Sequence, residues 1–290
     1  MNPKYPIYVI TRGRLKIRQT ISALEKMQVP HKVVVDSDQY EQYAQVINSD
    51  RILVVPPSYY TQYNTCDRLG ITKRTGPGAA RNYCWDNAIE NGYSYHWVMD
   101  DNISFFARMH KNITIRCWDG TPFRIMEDFC ERYKNVSMAG PQYWMFAPQR
   151  RSHPPFTLNT RIYSCNLIRN DVPFRWRGRY NEDTILSLDM LKAGWCTILF
   201  YVFQQQKMST QTLDGGNKTE FYDKEGTLPK SLMQVAVHPD VSRLVWKFHR
   251  WHHHVDYKKF KQTLTLKENI QIEKGINNYG LKLVSIDVAS

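Results

Sequence analysis

A chain of 290 residues with 42% apolar and 13% aromatic side chains can bury a substantial core, which excludes disorder and collagen-like order. Its 39 Lys and Arg against 27 Asp and Glu give a net charge of +12. The excess sits in two blocks: residues 144–179 hold seven Arg and one Asp, residues 243–282 hold nine Lys and Arg against three acids, and the remainder sums to zero. Two basic blocks on a neutral body point to two surfaces that meet a polyanion, either nucleic acid or a nucleotide phosphate. The longest mainly apolar run, residues 195–203, is too short for a bilayer, and the N-terminal stretch MNPKYPIYVITRGR lacks the apolar segment of a secretory leader. Six cysteines without a CxxC pair lie mostly in apolar runs, so reduced thiols and a soluble, cytoplasmic protein are expected rather than a zinc ribbon or a disulfide framework.

In chain order, residues 5–11 (YPIYVIT), 32–36 (KVVVD) and 51–56 (RILVVP) are short and β-branched, and residues 15–27 and 39–47 between them carry helical spacing. This β-α-β-α-β alternation predicts a parallel sheet with helices on its faces. GPG at 76–78 precedes a predicted helix over 79–91, then a strand over 95–99 that runs into Asp100, Asp101 and Asn102. Further on, a helix over 123–133 is followed by an aromatic and basic loop, a strand over 161–168, a helix from an Asn181 N-cap to Gly194, and a buried strand over 196–203. Residues 208–225 are polar with a Gly pair and read as a mobile loop. The run RLVWKFHRWHHHVDYKKF reads as a basic helix. The expected division is a core over 1–227 and a basic, mainly helical extension over 228–290 that packs on the core and meets DNA.

Three constellations carry chemistry. Adjacent carboxylates at the end of a buried parallel strand, Asp100 and Asp101, lie where open α/β sheets bind ligands, and they suit a divalent cation on a diphosphate; the plain reading is a turn after a strand. GPGAARN puts Gly76, two alanines, Arg81 and Asn82 at a helix start, where glycine permits close backbone approach and arginine offers a fork of donors to phosphate. It matches neither a P-loop nor a dinucleotide fingerprint, and packing alone is the other reading. Glu182 and Asp183 head a later helix, as dipole-favoured capping acids or as a general base on a rigid element.

Taken together, PIYVITRGR, QYEQYAQV, GPGAARN, WVMDDNI, RGRYNEDTILSLDMLKAGWCTILF, the GGN at 215–217 and WKFHRWHHHVDYKKF occur in the order seen in nucleotide-sugar glycosyltransferases of GT-A fold. More narrowly, the chain resembles the phage-type TET/JBP-associated glycosyltransferases, linked to sugar addition on oxidised pyrimidines in DNA. The resemblance implies that Thr11, Arg12, Gly13 and Asp36 line the uridine end of a UDP-sugar, that Gly76, Arg81 and Asn82 face the donor, and that Asp100 touches the ribose. It further implies that Asp101 holds a manganese or magnesium ion and that Asp183 is the base. The usual aspartate-any-aspartate motif stands here as Asp100-Asp101-Asn102, so a late histidine is needed to complete the ligand set, His253 among 252–254 being the candidate. Stacking or phosphate contact by the three histidines is the other reading. The implied acceptor is a 5-hydroxymethylpyrimidine in DNA, 5-hydroxymethylcytosine first, reached as an extruded nucleotide, with Arg177, Arg179, Lys247, Arg250, Lys258 and Lys259 on the phosphates. The expected chemistry is a metal-dependent, inverting transfer of glucose; the other readings are a glycosyltransferase of the same fold with a non-DNA acceptor and a catalytically dead DNA-binding module on this scaffold.

Overall fold

The computed structural model describes residues 1–67, 76–207, 226–271 and 275. Strands β1 (Ile7–Ile10), β2 (Lys32–Val35), β3 (Ile52–Val54) and β4 (Tyr95–Asp100) pair in parallel in the order β3-β2-β1-β4. Helices α1 (Gln19–Lys26), α2 (Tyr40–Ala44), α3 (Pro57–Thr61) and α4 (Gly78–Glu90) lie between them in sequence, as the alternation predicts. The chain continues through β5 (Ile103–His110), β6 (Ile113–Arg116), α5 (Thr121–Glu131), β7 (Val136–Tyr143), β8 (Phe156–Leu158), β9 (Cys165–Arg169), α6 (Glu182–Lys192) and β10 (Cys196–Lys207). The result is a 10-stranded sheet of order β3-β2-β1-β4-β9-β7-β10-β5-β6, with β8 on β10. Only β5, β8 and β9 run against the common direction, so the sheet is mostly parallel and the architecture is the GT-A-like α/β fold.

Strand alternation sorts the core into two layers. Ile7, Val9, Val33, Val35, Trp97 and Met99 face one layer, closed by Ile21 and Leu24 of α1 and Phe123 and Met126 of α5. Tyr8, Val34 and Val98 face the other, where Ala79, Ala80, Cys84 and Trp85 of α4 and Leu186 and Met190 of α6 pack. Small residues let α4 approach closely: a Cβ on Gly78 would lie 1.8 Å from the Tyr63 hydroxyl. Because parallel strands end at one sheet edge, the residues after β1, β2 and β4 are gathered there.

The extension departs from expectation. Helix α7 (Leu228–Val237) is followed by β11 (Ser242–Lys247) and β12 (Arg250–Val255), an antiparallel hairpin where a basic helix is predicted. Short runs rich in β-branched and aromatic residues satisfy both periods, and pairing across Phe248-His249 lets the strand win. The chain then returns along the core, where Asn135 and Asn159 side chains donate to the carbonyls of Thr263 and Gln262, each at 2.8 Å. The predicted mobile loop at 208–225, with its GGN, lies outside the described residues. The six cysteines are unpaired, and no helix among the described residues is long and apolar enough to cross a membrane.

Candidate active site

The turn after β4 is fixed by Thr20 of α1, through both its hydroxyl and its amide. The Thr20 hydroxyl donates to the Asp100 carbonyl at 2.5 Å and accepts from the Ile103 amide at 2.9 Å, and the Thr20 amide donates to the Asp101 carbonyl at 3.1 Å. The two aspartates so held have separate partners. Asp100 accepts from Arg81 Nη2 and from Lys207 Nζ, each at 2.6 Å, and the same lysine donates to Ser164 Oγ at 2.7 Å. Asp101, buried, accepts from Arg14 Nη1 at 2.5 Å and from the Thr11 hydroxyl at 2.9 Å, and Thr11 also meets the Tyr43 hydroxyl at 2.8 Å. The like-charge repulsion expected between neighbouring carboxylates is therefore met by a cation on each, not by one ion between them.

Burial works against charge at these groups, and the ion pairs decide the outcome. At Asp100, Lys207 and Arg81 overcome burial and hold the carboxyl well below the usual carboxylate range. At Lys207, Asp100 and Tyr143 overcome burial and raise the ammonium. At Asp101 burial prevails over Arg14 and Thr11, and the carboxyl rises.

At the neighbouring strand ends, Arg12 pairs with Asp36 and, at 3.0 Å, with Asp38, while Tyr60 donates to Asp36 and the Gly13 amide donates to Gln39 Oε1 at 2.9 Å. Thr11, Arg12, Gly13 and Asp36 thus stand together at the edge that Asp100 and Asp101 occupy. Arg81 is buried on the first turn of α4, over the Trp176 ring at 4.5 Å, and two of its donors, Nε and Nη1, have no hydrogen-bond partner among the described residues. Asn82 is placed differently from the expectation: its amide donates to the Trp176 carbonyl at 3.0 Å and accepts from the Trp176 amide at 2.9 Å, so its polar atoms pin a loop instead of facing a donor. Gly76, with φ +75°, packs on that same loop, where a Cβ would lie 2.7 Å from the Arg179 carbonyl oxygen.

Asn181 begins α6 in the left-handed region, with φ 55°, but its side chain makes no cap and donates instead to the Lys230 carbonyl of α7 at 2.8 Å. The acids that follow are unlike each other. Glu182 is buried, with its carboxylate 3.6 Å from Arg81, and burial raises it against that arginine. Asp183 is half-buried and accepts from the Thr184 amide at 2.7 Å; no cation among the described residues is at salt-bridge distance from it. Its field reaches Arg161, Tyr143, Tyr163 and Tyr257, a cationic and aromatic wall in which the buried Tyr257 hydroxyl has no partner among the described residues.

Arg177 and Arg179 are corrections. Arg177 forms a fork to Asp189 at 2.7 and 2.9 Å, and Arg179 is 3% exposed and paired with Asp67, so these guanidinium groups brace the entry to α6 and do not form an open phosphate edge. Lys247, Arg250, Lys258 and Lys259 are exposed on the extension, Lys259 donating to the Asp240 carbonyl at 2.6 Å. His253 lies on β12, and successive strand residues alternate, so it faces away from His252 and His254. Burial, with Lys230 and Arg161, lowers it to about 3, which keeps the imidazole in the neutral form that binds metals.

A magnesium or manganese ion on a diphosphate takes one or two protein carboxylates and fills its octahedron with phosphate oxygens and water. Asp100 and Asp101 offer that donor type at one strand end. Among the described residues, however, no three His, Cys, Asp or Glu side chains converge on a metal position, so His253 and the aspartates are not assembled into one ligand set.

Sequence spacing alone does not single out Arg14, Ser164, Arg161, Lys207 or the tyrosine wall. A lysine ending the long strand YVFQQQK and a second arginine in TRGR are the only local signs of two of them.

The mostly parallel α/β sheet thus carries cation-paired carboxylates at its C-terminal edge, and Asp183, heading a helix next to Glu182, has no cation at salt-bridge distance among the described residues. The TET-associated glycosyltransferase family matches residues 5–216, and the chain belongs to that family. The protein is thus a glycosyltransferase, and the match stops short of α7 and the hairpin. No curated protein matches the chain.

Proposed function

We propose that the protein transfers a hexose, glucose from UDP-glucose before other sugars, to the hydroxyl of a 5-hydroxymethylpyrimidine in DNA, 5-hydroxymethylcytosine before 5-hydroxymethyluracil. Thr11, Arg12, Gly13 and Asp36 bind the uridine end, and Asp100 meets the ribose. The reaction is an inverting displacement in which Asp183 takes the acceptor proton as the hydroxymethyl oxygen bonds to the anomeric carbon and the bond to the diphosphate breaks. Arg81 and Lys207 stabilise the negative charge that develops on the diphosphate. A manganese or magnesium ion, when bound by Asp101 with Asp100 or His253 as second ligand, supplies further positive charge to the leaving group.

The observation that carries this reading is the difference among the carboxylates. Asp100, Asp101 and Glu182 each face an arginine or lysine, whereas Asp183 stands half-buried with no cation at salt-bridge distance among the described residues. A base must be free to accept a proton, and only Asp183 among these four is. The basic blocks, with Lys247 and Arg250 exposed on the hairpin, favour DNA over a neutral acceptor.

The test is mass spectrometry of nucleosides from hydroxymethylated DNA incubated with the protein, a panel of UDP-sugars and manganese. A hexose on the hydroxymethylpyrimidine, absent with plain DNA, is expected. Transfer to a polysaccharide, lipid or protein with the DNA unchanged would overturn the acceptor, and an absence of any donor turnover would overturn the chemistry.

A further inference from the structure

The hairpin β11–β12 is two-faced. Its register sets Leu244 opposite His253 and Trp246 opposite Trp251, so these side chains share one face, while Arg243, Lys247, Arg250, His252 and His254 share the other. At the base, the apolar face is covered by the core: Val255 packs with Leu188, Leu191 and Val241 of a buried cluster. At the tip it is bare. Trp246 is 58% exposed, Trp251 is 39% exposed with its ring 5.2 Å from that of Trp246, and Phe248 is 83% exposed.

The turn itself is unusual for its residues. A two-residue hairpin loop needs positive φ at both central positions, and Asn-Gly or Asp-Gly supplies it without strain. Here the positions are Phe248 and His249, with φ 52° and 58°. A large aromatic ring is thus held outward at a place where backbone preference favours a small residue, and its ring neighbour among the described residues is His252, edge-on at 6.1 Å. Strain of this kind persists at sites where the side chain has a task.

Position supplies the rest. Asn181, two residues before Asp183, donates to the Lys230 carbonyl of α7 at 2.8 Å, and the adjacent Ser231 hydroxyl donates to the Trp251 carbonyl at 3.4 Å, so β12, with His253 on it, rises beside the helix end that carries Asp183. Five residues from His253 to Phe248 at about 3.3 Å each carry the tip roughly 16 Å beyond that level, more than the ~8.5 Å depth of the DNA major groove, which admits a two-stranded ribbon. Lys247 and Arg250, cross-strand partners on the outer face, place two exposed cations beside the tip.

We propose that this hairpin is a wedge: its tip enters the duplex from the major groove, and Phe248, at the turn between the aromatic and the cationic face, fills the gap left when the modified nucleotide swings out toward Asp183. Apolar side chains driven between base steps are a known means of unstacking DNA, and a base in the stack is not accessible to attack at its substituent. The proposal rests on the acceptor being a base in DNA. It adds that duplex opening is done by the extension and not by the family-matched region.

The test uses the full chain and three forms of one acceptor sequence: a duplex with the hydroxymethylated base paired, the same duplex with a mismatch opposite it, and the single strand. Phe248→Gly removes the ring while suiting the positive φ, so the turn is kept, and Phe248→Trp keeps a ring. Phe248→Gly is expected to lose tenfold or more of transfer on the paired duplex, to recover most of it on the mismatch, and to match wild type on the single strand, with Phe248→Trp near wild type throughout. Equal activity on the paired duplex, or an equal loss on the single strand, would overturn the wedge. Should the wild-type protein modify none of the three, the acceptor reading fails by itself, and 2-aminopurine beside the target position still decides the wedge. Its fluorescence rises on binding of wild type and not of Phe248→Gly if the stack is opened, and an unchanged signal with wild type overturns the proposal.

Discussion

The donor edge of the sheet and the C-terminal hairpin handle charge in opposite ways. At the sheet edge nearly every ion is answered at close range: Asp100 by Arg81 and Lys207, Asp101 by Arg14, Asp36 by Arg12, Glu182 by Arg81. On the hairpin, Lys247 and Arg250 lie across from each other as like charges and the aromatic rings face water. The contrast follows from solvent. A charge in the interior must be paired to remain, since removal from water costs several kcal/mol per ion, whereas an exposed lysine needs no partner and keeps its charge for a ligand. The edge is arranged before its ligand arrives, and the hairpin acquires its counter-charge only on binding.

Asp183 belongs to neither pattern, and the largest expected effect concerns it. Asp183→Asn keeps size and leaves the acceptor for the Thr184 amide, but it cannot take a proton, so turnover should fall by about 10²- to 10⁴-fold with UDP-sugar and DNA affinity near wild type. Steady-state rates and equilibrium binding check this, and near-normal turnover would return Asp183 to a helix-capping role. Glu182→Gln is the companion variant. Because Glu182 is buried beside Arg81, its loss should disturb the donor end, raising KM for the UDP-sugar more than it lowers kcat. A Glu182→Gln defect confined to kcat would make Glu182 the base.

The next effect tests the buried side of the comparison through pH. His96, near the start of β4, is wholly buried, its Nδ1 2.6 Å from Asn170 Oδ1, and burial lowers it to about 4. A histidine whose folded pKa lies below its unfolded value near 6.5 contributes stability that is complete above 6.5 and lost as pH falls toward 4, about 3 kcal/mol over that window. Glu127 acts in the opposite sense: burial pushes it up to about 7, so its contribution is complete below the ordinary glutamate range and lost as pH rises through 7. Glu182, raised to about 7, and His238 and His253, lowered to about 4 and about 3, act in the same window, so the readout is a difference between proteins. Between pH 7 and 5 the urea midpoint of His96→Gln should fall less, or rise more, than that of wild type, because one destabilising protonation has been removed. Parallel pH profiles for the two proteins would show that His96 is not a pH-sensitive element.

The smallest effect tests the exposed side. Replacing Lys247 and Arg250 with alanine removes two cations that no acid neutralises among the described residues. For every phosphate that goes unneutralised, the log-log salt dependence of duplex binding should flatten by roughly 0.9, with little change among sequences and none in Tm beyond a degree or two. An unchanged slope from titrations across salt concentrations would place both residues on a merely solvated surface.

Local pattern made the parallel half of the molecule legible. In residues 5–56 the strand and helix periods are clean, and in β1, β2 and β4 both faces are buried, so the sheet, its ligand-binding edge and the position of Asp100 and Asp101 follow from residues close in sequence. The acid pair at the head of α6 was legible on the same ground. The family match covers residues 5–216 and so includes these segments, whereas WKFHRWHHHVDYKKF, on which the resemblance also drew, lies beyond it. Contacts between distant segments were not legible. Lys207 reaches Asp100 across 107 positions, and nothing near either residue announces the other. The open look of Arg177 and Arg179 in the sequence vanished once Asp189 and Asp67 folded against them.

The hairpin shows the division most clearly. Composition alone determined that residues 243–261 are basic and aromatic, but not which period they obey, since a short run with a hydrophobic residue at every second or third place fits strand and helix alike. Tertiary structure decided it. The core covers the base of one face through Val255, and a strand pair turns the tryptophans to that face and the lysine and arginine to the other, which a helix of the same residues would have mixed around its circumference. Residue identity set what this surface is made of, and burial of one edge against the core set which way it points.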